Sequence, residues 1–92
     1  MEIKILKRTD NELKIEILGS GHGLCNLLQK KLLENAKVDQ AGYDVPHPLA
    51  SNPVIYVRTK GKIKPEDMLM QAAQKAIEEN EAFNKALSSA LK

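Results

Sequence analysis

The sequence predicts an α/β (α+β) fold: a two-layer sandwich in which a four-stranded, mainly antiparallel sheet carries two helices on one face, in the order β-β-α-β-β-α. Three observations predict it. Some short segments are strand-like, alternating apolar and charged residues or rich in β-branched ones. Others carry apolar residues at spacings of three and four, as helices do. Turn-forming residues fall between these segments more than within them. With 92 residues, the chain has room for one core, and a single domain over residues 1–92 is expected.

The elements follow in order. Ile3 and Ile5 alternate with Glu2 and Lys4, and Leu13, Ile15 and Ile17 alternate with Glu12, Lys14 and Glu16. Each run has the period of a half-buried strand, one face on the core and one in water. Between them, Arg8-Thr9-Asp10-Asn11 supplies Asp and Asn, which bond their own backbone in turns, so a hairpin is expected. Gly19-Ser20-Gly21 breaks the chain, and a helix is expected over residues 22–34. Its apolar residues Leu24, Leu27, Leu28, Leu32 and Leu33, with Cys25 beside them, span more than half of the helix circumference at ~100° per residue. One sheet face cannot cover so wide a stripe, so a second covering surface is expected.

Residues 38–45 form a weaker strand pattern, with Gly42 hinting at a bulge. Pro46 and Pro48 cannot donate to a ladder, and Pro53 closes the connection. Val54-Ile55-Tyr56-Val57 is β-branched and aromatic and reads as a strand. Residues 59–64 are mostly polar, contain Gly61 and read as a loop.

Pro65 suits a first helical position, and Glu66 and Asp67 complement the positive end of a helix dipole. No Gly or Pro follows, so one helix is expected over residues 65–91, ~40 Å long. A compact chain of this size is only ~30 Å across, so part of that helix should overhang. The stripe Leu69, Ala73, Ala76, Asn80, Phe83, Leu87 and Leu91 nevertheless continues to the end on one face. An apolar face that outruns its own core needs a partner. The expected partner surface is therefore Leu24, Leu27, Leu28 and Leu32 of the first helix with Leu69, Ala73, Ala76, Phe83, Leu87 and Leu91 of the last.

Composition excludes several functions. The only aromatic residues are Tyr43, Tyr56 and Phe83, too few for a platform that stacks bases. The single cysteine, Cys25, excludes an internal disulfide and a multi-cysteine zinc site. No apolar run reaches the ~20 residues of a membrane span, and a reducing, cytoplasmic setting is the natural reading. The net charge of +2 is too small for a nucleic-acid coat. His22, Cys25 and His47 are too few to encage a metal, Cys25 lies among leucines where catalysis is disfavoured, and no catalytic residue or cofactor is expected. The glycine-rich turn lacks the Lys-Ser/Thr of a phosphate loop. Arg58, Lys60, Lys62 and Lys64 are the one basic cluster, able to contact phosphates or an acidic partner weakly, though a solvated loop explains them more simply.

Three motifs carry a family resemblance. Gly21-His22-Gly23-Leu24-Cys25-Asn26-Leu27-Leu28 resembles the His-Thr-Leu-x-Asn-Leu-Leu signature opening the first helix of archaeal RNA polymerase subunit L, with Gly23 in place of Thr. Tyr43-Asp44-Val45-Pro46-His47-Pro48-Leu49 is similar to that family's Tyr-x-x-Pro-His-Pro-Leu segment, and Thr59-Lys60-Gly61 with Pro65-Glu66-Asp67-Met68-Leu69 resembles its approach to the last helix. His22, Leu24, Asn26, Tyr43, Pro46, His47 and Pro48 are thereby family-motif positions. The resemblance implies a non-catalytic subunit of DNA-directed RNA polymerase, counterpart of the eleventh subunit of eukaryotic polymerase II and of the bacterial alpha amino-terminal domain. It implies pairing with the D subunit of that polymerase, then assembly with the large polymerase subunits, with DNA contacted only through the complex. Two other readings from the residues are a small nucleic-acid-binding protein using the basic cluster, and a small enzyme of ferredoxin-like shape, which would need a pocket of converging polar groups that the sequence does not offer.

Overall fold

A computed structural model of the chain describes residues 2–18, 22–44, 52–76 and 80–92, and within these leaves out the side chains of residues 22, 23, 76 and 80–82. Strands β1 (Glu2–Arg8), β2 (Glu12–Leu18), β3 (Val38–Asp44) and β4 (Val54–Thr59) and helices α1 (His22–Leu33), α2 (Pro65–Ala76) and α3 (Asn80–Leu91) follow one another as β-β-α-β-β-α-α. The sheet order is β1-β2-β4-β3 and every pairing is antiparallel. Pro46, His47 and Pro48, like the Gly19-Ser20-Gly21 turn, lie outside the described residues.

The period-two pattern sets the register. Ile3 faces Ile17 and Ile5 faces Ile15 across β1 and β2, and Leu13 and Ile15 face Val57 and Ile55 across β2 and β4. All of these except Ile5 are buried. The pairs on the other face are polar or mixed: Lys4 with Glu16, Lys14 with Tyr56 and Glu12 with Arg58. The register of β1 shifts between Ile5 and Lys7, and that of β3 between Val38 and Gln40. The irregularity in β3 therefore falls at its start and not at Gly42, which pairs in step with Tyr56. A Cβ on Gly42 would meet nothing within 4 Å.

The β1–β2 turn closes as its sequence predicts, with the Thr9 amide donating to the Glu12 carbonyl at 2.8 Å and the Glu12 amide to Thr9 Oγ1 at 3.0 Å. Asn11 ties this turn to the end of β4, donating to the carbonyls of Thr59 at 3.2 Å and Gly61 at 2.6 Å. Gly61 has φ +59°, where a side chain would be strained. Buried Thr59 donates its hydroxyl to the Ile63 carbonyl, so the turn into α2 is bonded internally.

The helix layer differs from expectation in one respect with several consequences. Three helices, not two, cover the inner face of the sheet. α1 lies against β3 and β4, α2 against β4 and β2, and α3 against β1, with α2 touching both neighbours. The single helix expected over 65–91 is absent. The Arg8 guanidinium proves the point: Nε meets Glu66 Oε2 at 3.2 Å at the start of α2, and one terminal nitrogen donates to the Leu91 carbonyl at 3.0 Å at the end of α3. In one straight helix those two ends would stand ~37 Å apart, farther than the longest dimension of the whole molecule, 36 Å. The helices instead run back to back.

The stripe therefore does not overhang. Phe83 and Leu87 are 1% and 0% exposed and belong to the same core as Ile3, Ile15, Leu28, Leu32, Leu69 and Ala73. The physical reason is that β1, an edge strand, has apolar residues that neither α1 nor α2 reaches. α3 covers them, so the far half of the stripe finds its partner within the chain. Asn84 Oδ1 is enclosed in this packing and accepts no hydrogen bond from the described residues, which costs about 1–3 kcal/mol.

Candidate partner interface

α1 positions the residues that this folded chain leaves available. Cys25, Leu28 and Leu32 point into the core. Leu24 and Leu27 lie about 60° apart on one flank of the helix; Leu24 is half-buried and Leu27 is 44% exposed. Leu33, 57% exposed, lies on the other flank. The second covering surface expected for this helix is supplied in part by α2, which packs on it beside the sheet, while Leu27 and Leu33 stay in water. Met70 of α2 is partly buried, as is Leu91 at the end of α3.

The residues expected at a partner surface thus divide. Leu24, Leu27 and Leu91 keep accessible surface. Leu28, Leu32, Leu69, Ala73, Phe83 and Leu87 are sealed in the core, so none can touch a partner while the fold stays closed. The side chain of Ala76 lies outside the described set, as does that of His22. Asn26 is exposed on α1, and Tyr43 is 38% exposed near the end of edge strand β3. Leu6 and Leu33 are both exposed. Leu33 sits within the α1 stripe, and only its wheel position, about 140° from Leu28, distinguishes it. Leu6 falls out of phase with Ile3 and Ile5, on the side of Glu2 and Lys4, so alternation does mark it as outward.

The basic cluster is not a unit. Arg58 projects onto the outer face of the sheet and pairs with Asp39 at 3.1 Å. Lys60, Lys62 and Lys64 stay exposed on the turn leading to α2. On the outer face, Lys7 and Glu12 pair at 2.9 Å. Glu12 is held below the usual carboxylate range by hydrogen bonds from Lys7 and Tyr56, and the Glu12 contact raises Lys7. Burial lifts Tyr56, with the Glu12 hydrogen bond adding to it.

Little here resembles a reaction centre. Burial among leucines pushes the Cys25 thiol up to about 11, so at neutral pH it is a protonated core residue and not a nucleophile. No group of three potential metal ligands occurs among the described residues. The concavity of about 620 Å³ over Gly42, between Leu6, Tyr43 and Tyr56, has no Ser, Cys or His in its lining. No described helix is long and apolar enough to cross a membrane.

Known proteins share this arrangement. Residues 12–86 match the RNA polymerase Rpb3/Rpb11 dimerisation domain. The subunit Rpo11 of DNA-directed RNA polymerase from Methanocella arvoryzae is 45% identical, over 92% of this chain and 91% of its own. The Methanococcoides burtonii Rpo11 is 42% identical over 95% and 99%. Among solved structures, the crystal structure of DNA-directed RNA polymerase subunit L from Thermoplasma acidophilum superposes with a TM-score of 0.73 at 26% identity, covering 96% of this chain and 86% of that one. An α+β sandwich with an uncovered apolar helix flank and a core thiol in place of a catalytic one accords with these matches: the chain belongs to the RNA polymerase Rpb3/Rpb11 dimerisation-domain family, as an archaeal-type, non-catalytic subunit of DNA-directed RNA polymerase.

Proposed function

We propose that the chain heterodimerises with the D subunit of RNA polymerase in the cytoplasm, and that the pair is the platform on which the large catalytic subunits assemble. The observation that carries this reading is the flank of α1. In a chain whose core is otherwise closed, Leu24 and Leu27 present apolar surface on a rigid helix next to the motif residue Asn26. Such a flank suits a permanent interface that is apolar at its centre. The chain would then support transcription without chemistry of its own, meeting DNA only through the complex and needing no cofactor. Co-expression with the D subunit, read by size-exclusion chromatography, tests the pairing; a 1:1 complex that goes on to bind the large subunits is the expected result. The D subunit eluting alone, with this chain folded and monomeric beside it, would overturn the reading.

A further inference from the structure

The outer face of the sheet carries a glycine that the fold itself does not need. Glycine weakens a strand interior, because it loses backbone freedom there and gives its neighbours no side chain to pack on. The ordinary reasons for accepting that loss are absent at Gly42. It pairs in step with Tyr56, so no bulge requires it. The left-handed backbone conformation occurs at Gly61 and not here. A Cβ would meet nothing within 4 Å, so no close approach inside the chain requires it either. A strand glycine with open space above it fits the close approach of something outside the chain.

Its neighbours indicate the chemistry of that visitor. The register sets Lys7, Lys14, Tyr56 and Gly42 in one row across all four strands, and all four line the concavity of about 620 Å³. Leu6, 44% exposed, borders it from β1. Tyr56 stands beside Gly42, its hydroxyl donating to Glu12, which is in turn paired with Lys7. That wall is therefore held in place before anything binds. Lys7 and Lys14 lie directly opposite one another, an unfavourable like-charge pairing. Glu12 answers Lys7 and Asp39 answers Arg58, while Lys14 makes no ion pair with a described residue. The row thus combines apolar surface, an empty notch and one unanswered cation, with neutralised pairs beside it. An apolar centre inside a polar rim is the anatomy of a protein interface. A phosphate backbone would instead call for several free cations.

We propose that this face receives a large catalytic subunit of the polymerase, through a segment that lays an apolar side chain over Gly42 against Tyr56 and sets a carboxylate on Lys14. The proposal rests on the assembly reading above and adds where that assembly occurs. The D subunit is taken up on the helical layer and the large subunit on the opposite face of the sheet, so one chain holds both at once.

The pair with the D subunit, formed from purified chains, is mixed with the purified large catalytic subunits and separated by size-exclusion chromatography. Gly42→Phe adds a side chain that suits a strand and has open space to enter, so the variant should melt at or above the wild-type temperature and pair normally with the D subunit. Its capture of the large subunits should fall by about tenfold or more. Lys14→Glu, at an exposed position, should fall by a similar factor, whereas Lys14→Arg should keep most of the capture. In the wild-type assembly a carbodiimide crosslinker should join the Lys14 amine to a carboxylate of a large subunit, read by mass spectrometry. Wild-type capture by both Gly42→Phe and Lys14→Glu would overturn the proposal, and so would a Lys14 crosslink that goes to the D subunit alone. Should Gly42→Phe unfold, Lys14→Glu decides by itself. Labelled single-stranded RNA that the wild-type chain binds and Gly42→Phe does not would give the face to nucleic acid and overturn the proposal too. A wild-type pair that captures no large subunit would overturn the assembly reading itself, and this one with it.

Discussion

Helices α1 and α3 have the same length, 12 residues, and both carry apolar residues at spacings of three and four. They end in opposite situations. α3 buries Phe83 and Leu87 completely against β1, while α1 keeps Leu27 and Leu33 in water after Cys25, Leu28 and Leu32 have entered the core. The difference is one of width. The buried residues of α3 form a narrow stripe that one groove accommodates; the leucines of α1 wrap more than half of the helix, more than any single neighbour can cover. Stripe length does not tell how much of a helix its own chain leaves in water, whereas stripe width does.

The sharpest way to break this comparison is Phe83→Asp with Leu87→Asp. Two uncompensated carboxylates would enter the core, at several kcal/mol each, against a typical total stability of about 5–15 kcal/mol. The chain should lose its cooperative thermal transition and its near-native circular dichroism. A folded double mutant that merely fails to pair would return these residues to an interface.

Next in size is Leu24→Asp with Leu27→Asp on the α1 flank. Leu27 is exposed and Leu24 is half-buried against the core, so the thermal midpoint should fall by several degrees while the chain stays folded. Pairing should weaken by roughly 10²–10⁴-fold, from about 1.5–3 kcal/mol of apolar burial for each side chain. Titration of the purified mutant against the D subunit measures it; affinity within about threefold of wild type would remove the flank from the interface.

A third test addresses the buried side of α1. Burial raises the Cys25 thiol from 9.0 to about 11 in the folded state. Its neutral form is favoured by folding, so this stabilisation is complete below about pH 9 and is lost as pH climbs through 11. The wild type should therefore lose about 2 kcal/mol more than Cys25→Ala between pH 9 and 11. Denaturant melts of both proteins across that range provide the measurement. Parallel curves would mean that the thiol reaches water.

The smallest effect belongs to the surface furthest from any stripe. Replacing Lys60, Lys62 and Lys64 together by Gln should change stability by about 0.5 kcal/mol or less per residue and leave pairing intact. A midpoint lowered by about ten degrees would show that the turn is packed against something.

Much of the architecture was legible because alternation is local. Ile3, Ile5, Leu13, Ile15 and Ile17 name the inner face of the first hairpin, and the structure sets all five in or against the core. The reversal between α2 and α3 was not legible. Sequence phase is the same in a straight helix and a folded pair, and what decides between them is the uncovered edge strand β1, a tertiary fact. Similarly, Arg58 looked like a member of a basic cluster because its neighbours along the chain are lysines. In the sheet, alternation sends it to the outer face, where Asp39 on β3 neutralises it. For the partner surface, the wide leucine stripe of α1 was visible, but the residues within it that stay in water depend on how the helix rolls onto the sheet.

The two register shifts carry a consequence for how the molecule can grow. They fall on β1 and β3, the two outermost strands. A shifted edge offers an incoming strand an interrupted ladder. Lateral extension into a continuous multi-molecule sheet is thereby discouraged at both ends. The flank of α1 remains open to a neighbour, on the helical layer and away from both strand edges.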